Sequence, residues 1–236
     1  MKNLIRVAVV LCLVFVGFAM NPAQGYAAEP KGKKQIASSS SNIDFDWAFG
    51  VYTEKDKKLI SIDRDTALKS GDDIKMLINL SKECFVYVIH YGPKDEVDLL
   101  FPYDLQQFKT DYKVNKTYFI PKGKSWGTLD QQKGKEVFFI VASNKRLPNL
   151  EAKLSAYMSA PAGNKAVLAK EVVSEVRGVR KSFTEYTTLA EKPITIGGNI
   201  RGTKKAGDEK RPDISTVAKR ITARNLYTKT ITIDHK

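Results

Sequence analysis

The sequence predicts a mainly β protein, an immunoglobulin-like antiparallel β-sandwich with one or two helices inserted before the C-terminal strand. Segments between residues 43 and 142 carry apolar side chains at every second position, which is the period of a half-buried strand. Glycine, proline and aspartate separate these segments at short spacing, as turns do in sandwiches and barrels. The period changes to a helical one only after residue 146.

The first part of the sandwich contains three predicted strands. Aromatic side chains alternate with acidic or small ones over residues 43–49, so a half-buried strand begins at Ile43. Residues 58–62 predict a second, short strand, and the alternation over 74–80 predicts a third. Residues 66–72 are interpreted as a turn region.

The segment from Cys84 to Tyr91 is apolar on both faces, which is typical of a central strand covered on both sides. Residues 92–95 (Gly-Pro-Lys-Asp) provide turn chemistry, and 97–101 are expected to return antiparallel. Pro102 ends that strand, because proline cannot donate to a ladder. The hairpin is thus predicted to lie at the centre of the fold.

Two further strands are predicted over residues 116–120 and 136–142, after an aromatic and polar loop over 103–116. A helix is then expected to begin with Asn149 as its N-cap, and a second to cover 164–176. The expected apolar faces are Leu150, Leu154, Tyr157 and Met158 in the first helix, and Val167, Leu168, Val172 and Val176 in the second.

The C-terminal part begins with a possible strand over residues 193–200, followed by a charged loop over 201–213. Residues 226–233 alternate apolar and polar side chains and predict a terminal strand that rejoins the sheet.

The N-terminus predicts a signal peptide over residues 1–27. Lys2 and Arg6 precede a short apolar stretch, and the small residues before position 28 are typical of a cleavage site after Ala27. A retained signal anchor is the alternative. Residues 28–42 are Lys-rich and Ser-rich and are interpreted as a flexible linker, so 43–236 would form a single domain. We therefore expect an exported protein, periplasmic or extracellular, with no transmembrane segment after signal cleavage.

Cysteine use fits export without a disulfide. Cys12 leaves with the predicted signal peptide, and Cys84 alone remains. Cys84 is expected to be a buried core residue, since a strand would place it about 20 Å from His90, too far for a nucleophile and its base. An exported domain of this kind must be stabilised by its hydrophobic core.

Residues 71–146 contain four ordered motifs: a Gly-Asp start at 71–72 followed by a strand, the aromatic strand from Cys84, the Leu-Leu-Phe-Pro end at 99–102, and the strand 136–143. In this order they resemble the bacterial domain-of-unknown-function family 4384. The resemblance implies an exported β-rich module, often attached to caspase-like peptidase or protein-kinase regions, none of which is recognisable in this sequence. The family has no established catalytic residues, so the resemblance implies no catalytic role for any residue.

No catalytic or metal constellation is expected from the residues themselves. His90 and His235 are the only histidines; the first is interpreted as a packed or hydrogen-bonded residue near a strand end, and the second as part of a frayed terminus. The acidic residues Asp63 and Asp65, like the pair Asp72 and Asp73, match no calcium loop. We therefore expect no enzyme activity, no cofactor and no metal.

Two sets of residues are candidates for partner binding. Loop aromatics often anchor partners, although they also cap sandwich ends; basic residues favour anionic polymer or lipid. Residues 191–236 hold eleven Lys or Arg and five Asp or Glu, in a chain whose net charge is +13. The candidates are Tyr103, Phe108, Tyr112 and Trp126, and Lys204, Lys205, Lys210, Arg211, Lys219, Arg220 and Arg224.

The first hypothesis is an exported, non-catalytic module that binds a protein or envelope partner. The alternative is an electrostatic binder of anionic envelope polymer or lipid through the basic C-terminal stretch. The second alternative is an unrecognised hydrolase. Export disfavours nucleic acid as the partner.

Overall fold

The structure is a computed structural model that describes residues 43–53, 55–182, 190–194 and 211–236. All of them lie in one compact unit, Ser39–Lys236. The predicted signal peptide and linker, and nearly all of the charged loop over 201–213, lie outside the described residues.

The described chain contains twelve strands, three α-helices and a short 3-10 helix. In chain order the strands are β1 (Ile43–Thr53), β2 (Lys58–Ser61), β3 (Thr66–Leu68), β4 (Asp73–Leu80), β5 (Phe85–Tyr91), β6 (Val97–Phe101), β7 (Thr117–Ile120), β8 (Gly127–Thr128), β9 (Gly134–Ser143), β10 (Ala190–Pro193), β11 (Lys219–Ala223) and β12 (Leu226–His235). The helices are α1 (Gln107–Thr110), α2 (Pro148–Ser159) and α3 (Ala162–Ser182), and the 3-10 helix is Ile214–Val217.

The strands form two sheets, which confirms the predicted β-sandwich. The first sheet has the order β10-β11-β1-β4-β7, with β2 beside β1 and β8 beside β4. The second has the order β3-β12-β9-β5-β6. Every described pair is antiparallel except β3 with β12, which is parallel.

Alternating side chains of both sheets fill the space between them. Phe45 and Phe49 of β1 are buried there with Val88 of β5 and Ile140 of β9. Phe49 meets Phe138 edge to face, with ring centroids 5.0 Å apart. This geometry adds to the stabilisation from the buried aromatic area.

The first strand is buried on both faces, although the sequence predicted a half-buried one. The reason is the 3-10 helix, whose Ile214 covers Ala48 and Leu77 on the outer face of the first sheet, together with Ala218. The acidic residues that alternate with the aromatics do not indicate a solvent-exposed face here, because Asp46 is itself buried and pairs with a basic side chain.

The second sheet is also covered on its outer face, by helices α2 and α3. Tyr87 and Ile89 of β5 pack there against Leu150, Leu154 and Val172 of the helices. The prediction that β5 is covered on both sides is confirmed: its even-numbered residues face the sandwich core and its odd-numbered ones the helices.

Helix α2 begins differently from the prediction. Leu147, not Asn149, is the N-cap; it makes no side-chain capping bond, and Pro148 is the first helical residue. Proline suits that position because its missing N–H would have no helical partner there. Two members of the predicted apolar faces are wrong as well, since Met158 is 48% and Val167 64% exposed.

The short strand β3 lies in the region 66–72, which was interpreted as a turn.

The C-terminal part departs most from the sequence interpretation. Strand β11 was not predicted. Of the strand expected over 193–200, only Pro193 belongs to a described strand, as the last residue of β10, and residues 195–200 lie outside the described part. The terminal strand is confirmed as β12 and extends to His235, between β9 and β3.

Among the described residues, no helix combines the length and apolar character needed to cross a membrane.

Candidate functional site

A cleft of about 340 Å³ opens between the two sheets. The first sheet and its β8 extension provide one wall, and the second sheet with the loop before β9 provides the other. Much of the surface is apolar, with Phe49, Ile74, Met76, Leu100, Ile120 and Phe138 among the lining residues. Polar and charged residues are concentrated on the side of the second sheet.

A row of four polar side chains crosses the second sheet where it lines the cleft. It consists of His235 on β12, Glu136 on β9, His90 on β5 and Asp98 on β6, which are neighbouring strands. Three of them continue inward-facing apolar rows: His90 follows Val88, Glu136 precedes Phe138, and His235 follows Ile233. We call these four residues the polar row.

His90 binds carboxylates through both ring nitrogens. Nδ1 lies 3.3 Å from Asp98 Oδ2, and Nε2 lies 2.5 Å from Glu136 Oε2. Burial lowers the pKa of His90, but the hydrogen bonds to Asp98 and Glu136 outweigh it and raise the pKa to about 9. The bond from His90 in turn lowers the pKa of Asp98. At neutral pH the ring is therefore an imidazolium that donates to two carboxylates.

His235 is buried, so its assignment to a frayed terminus was wrong. Only 3% of the residue is exposed, because β12 continues through it between Gly134 and Leu68. Its Nε2 lies 3.1 Å from Ser70 Oγ. Its Nδ1 has no hydrogen-bond partner and lies 3.9 Å from Glu136 Oε1.

Ser70, His235 and Glu136 follow the order of a serine nucleophile, base and acid, but the geometry is incomplete. The 3.9 Å separation exceeds a hydrogen bond, and Glu136 is already bonded to His90. Ser70 does not line the cleft. Among the described residues, no group of three His, Cys, Asp or Glu side chains is arranged to hold a metal ion.

Two more acidic residues bring the cleft to four carboxylates, in a chain of net charge +13. Glu96 lies at the β5–β6 turn, where its Oε1 accepts from Gln132 Nε2 at 3.1 Å and its Oε2 is buried with no hydrogen-bond partner. Asp130, in the loop before β9, is exposed at the cleft. Lys75 also lines the cleft, but its ammonium donates to the carbonyl oxygens of Gly123 and Ser125.

Cys84 is 2% exposed in the sandwich core, which confirms the core assignment. Burial raises the pKa of the thiol to about 12. A thiol with that pKa is almost entirely protonated at neutral pH and is a poor nucleophile.

The predicted loop aromatics are largely engaged within the fold. Tyr112 accepts from Val86 N at 2.9 Å and donates to Cys84 O at 3.0 Å, so its hydroxyl fixes the start of β5. Phe108 packs edge to face on Phe85 and Tyr87. Tyr103 donates to Phe119 O at 2.8 Å. These three residues stabilise one end of the sandwich.

Trp126 lies on the outer face of the first sheet, away from the other three aromatics. It meets Tyr52 edge to face at 6.4 Å, and the Lys75 ammonium lies 5.8 Å from its ring centroid. Desolvation lowers the pKa of Lys75 there.

The predicted basic stretch is divided among separate ion pairs. Arg220 Nε lies 2.8 Å from the buried Asp46, and Lys219 lies 2.6 Å from Asp63. The hydrogen bond from Lys219 lowers the pKa of Asp63. The structure does not bring these residues to the cleft, and Lys204, Lys205 and Lys210 lie outside the described part.

The last two members of the basic set differ in their surroundings. Arg211 lies 2.7 Å from Asp73 and stacks on Tyr52, with the guanidinium carbon 4.4 Å from the ring centroid. Arg224 is exposed at the turn between β11 and β12.

Sequence reasoning singled out His90 but missed its carboxylate partners. Asp98 had a local signal: in a hairpin turning at residues 92–95, the antiparallel register places it opposite His90. Glu136 had none, because its position depends on β9 lying beside β5, a pairing between distant segments. His235 was interpreted as part of a frayed terminus for the same reason, since its burial depends on the pairing of β12 with β9 and β3. Glu96 directly follows the predicted turn, but its contact with Gln132 at the cleft had no signal in the sequence.

The fold and the cleft define a β-sandwich with helices over one sheet and a partly acidic inter-sheet cleft. Residues 67–146 match the model of the family described as "Domain of unknown function (DUF4384)". The resemblance is thus confirmed for this segment, which runs from β3 to just beyond β9. Of the residues that line the cleft, all but Phe49 and His235 lie within it. No curated protein and no solved structure matches the chain.

Proposed function

We propose that the protein is an exported, non-catalytic module that binds a protein or cell-envelope partner through the inter-sheet cleft. The observation that carries this proposal is the cleft itself, an apolar cavity with a few convergent polar groups. Such cavities are the usual form of binding sites. The apparent signal peptide at residues 1–27 supports export.

The size of the cleft favours a small ligand group over a large cofactor. Ligand pockets range from about 300 to 1,000 Å³, and 340 Å³ lies at the lower limit. That space suits one side chain or headgroup of a larger partner. The surrounding strands hold the polar row rigidly, as a recognition site requires.

A photo-crosslinking residue at Thr128, an exposed position on the cleft, tests this proposal in cell-envelope extracts. We expect one partner to be crosslinked there and not from position 60, an exposed site on β2. A second substitution, Leu100→Trp, fills the cleft and should abolish the crosslink, whereas Ile60→Trp should leave it unchanged. A crosslink that survives Leu100→Trp would contradict binding through the cleft.

An electrostatic binder of anionic polymer or lipid is the alternative. The ion pairs of Arg211, Lys219 and Arg220 weigh against it, because neighbouring carboxylates offset their charge. This alternative predicts that binding to anionic vesicles falls steeply with salt. It also predicts a loss on Arg224→Ser, which changes an exposed residue outside the cleft.

A hydrolase is the second alternative, and the sequence of contacts from Ser70 to His235 to Glu136 is the observation in its favour. It predicts turnover of an ester or peptide substrate that is lost on Ser70→Ala. A folded Ser70→Ala variant with unchanged partner binding and no difference in turnover would favour the binding module.

A further inference from the structure

We infer that the cleft recognises a long cationic side chain, lysine or arginine, presented by a partner polypeptide. This inference rests on the proposed binding function and specifies the chemical group that the cleft binds. It follows from the charge of one wall, the apolar character of the other, and two buried polar atoms that lack a hydrogen bond, Glu96 Oε2 and His235 Nδ1.

The wall formed by the second sheet and its adjoining loop is acidic. Glu96, Asp98, Asp130 and Glu136 contribute four carboxylates, and His90 contributes one imidazolium. The ammonium of Lys75 does not offset them locally, because it lies on the outer face of the first sheet, 5.3 Å from the ring centroid of Phe119 and 5.8 Å from that of Trp126. In a protein whose net charge is +13, this concentration of negative charge favours a cation.

The wall formed by the first sheet suits a methylene chain. Ile74, Met76 and Ile120 are aliphatic, and Phe49 adds an aromatic surface. Long cationic side chains bury their stems along such surfaces while the charged head reaches polar groups.

Two groups at the cleft are incompletely paired. Glu96 Oε2 is a buried carboxylate oxygen with no hydrogen-bond donor. His235, only 3% exposed, has no hydrogen-bond partner at Nδ1, which lies 3.9 Å from Glu136 Oε1. Buried polar groups are normally paired, and a bound N–H donor would satisfy Glu96. An ammonium or guanidinium supplies such donors together with the compensating charge.

The test compares two tripeptides, acetyl-Gly-Lys-Gly-amide and acetyl-Gly-norleucine-Gly-amide, by NMR titration of the exported chain. The norleucine peptide keeps the stem and lacks the charge. We expect the lysine peptide to bind at least fivefold more tightly and to shift the amides of Leu100, Phe138 and Glu136. Equal affinity for the two peptides, or shifts confined to residues away from the cleft, would overturn the inference.

A charge-matched pair of variants separates local recognition from the overall field. Glu96→Gln with Asp130→Asn should weaken lysine-peptide binding at least fivefold. Asp56→Asn with Glu83→Gln, which removes two exposed acids outside the cleft, should leave it unchanged. Equal weakening by both pairs would contradict a site at Glu96.

Three further outcomes bear on the inference and on the proposed function on which it rests. If 1,5-diaminopentane binds as tightly as the lysine peptide, a polypeptide side chain is not the specific ligand and the inference fails. If the Thr128 crosslink persists while neither peptide binds, the cleft binds a partner of other chemistry: the proposed function stands and the inference falls. If the lysine peptide binds and no crosslink forms, the cation site stands without the proposed partner.

Discussion

At the scale of single residues, His90 has the most demanding environment in the described chain. Its ring is held between a carboxylate at the cleft mouth and one in the core, 3.3 Å and 2.5 Å away. Buried charge is stable only when it is paired, so His90, Asp98 and Glu136 depend on one another. Removing His90 leaves two carboxylates without their shared cation, and removing either carboxylate leaves the imidazolium with one of its two partners.

The raised pKa of His90 makes stability depend on pH. The folded-state pKa of about 9 lies above the unfolded value of 6.5, so the contribution is complete below pH 6.5 and is lost as pH rises through 9. We expect His90→Gln to lower the free energy of unfolding by about 1–3 kcal/mol at pH 6 and by much less at pH 10. Urea denaturation at both pH values measures the difference.

A direct measurement of the His90 pKa provides the control. Asp98→Asn removes one hydrogen bond to the charged ring, so an NMR titration should give a lower pKa for His90 in this variant than in the wild-type protein. A pKa near 6.5 in the unmodified protein would contradict the ion-pair geometry.

The thiol of Cys84 should react slowly in the folded protein. It is 2% exposed and its pKa is raised to about 12, so both access and thiolate formation are limited. Labelling with a maleimide at pH 7.5 should be fast only after denaturation. Stoichiometric labelling of the native protein within seconds would contradict the assignment of Cys84 to the core.

At the scale of elements, the helical layer explains why β5 carries apolar residues on both faces. The inward row fills the sandwich, and Tyr87 and Ile89 are covered by α2 and α3. Polar contacts also attach this layer to the second sheet. The hydroxyl of Tyr87 donates to Glu151 Oε1 at 2.6 Å, and Val97 N donates to Tyr157 Oη at 2.9 Å.

Two leucine-sized residues of α2 give a matched test of that layer. Leu154 is 1% exposed and Met158 is 48% exposed, four residues along the same helix. Leu154→Ala should destabilise by about 2–5 kcal/mol, because it leaves a cavity under the sheet. Met158→Ala should change stability by about 0.5 kcal/mol or less. Denaturant midpoints measure both; similar losses would contradict the packing of α2.

The local sequence pattern predicted most strands and helices. It failed where a contact between distant segments determines burial or strand pairing. The hairpin of β5 and β6 followed from alternation and turn residues alone. The covering of β1 did not, because the 3-10 helix that buries Ala48 lies more than 160 residues later in the chain. The same distinction applies to the residues of the polar row. Asp98 could be placed beside His90 from the hairpin alone, whereas Glu136 and His235 come from strands whose pairing no local signal encodes.

At the scale of the whole molecule, charge is distributed unevenly. The chain carries net charge +13, yet the cleft holds four carboxylates and several basic C-terminal residues are paired elsewhere. The positive excess therefore lies outside the cleft. An acidic cleft on a basic protein repels anions locally and attracts cations against the overall field, which makes recognition there a short-range effect.

Residues 234–236 pair within the second sheet, and the final prediction concerns their contribution to stability. Strand β12 lies between β9 and β3, and Lys236 N donates to Leu68 O at 2.9 Å. Deleting residues 234–236 removes buried His235 and the pairing with Ala67 and Leu68. Because a buried side chain and ladder bonds are lost together, we expect a loss of about 2–5 kcal/mol in the free energy of unfolding.

The double variant Asp234→Ala with Lys236→Ala is the control for that deletion. It removes an exposed ion pair, 3.4 Å between Lys236 Nζ and Asp234 Oδ2, and keeps the backbone and His235. Exposed pairs contribute about 0–1 kcal/mol, so its unfolding midpoint in urea should remain close to that of the unmodified chain. If the deletion were as harmless as this double variant, the terminus would be frayed as its sequence position alone had indicated. If it is strongly destabilising, the end of β12 is an ordered part of the second sheet and supports the polar row, because β12 places His235 beside Glu136.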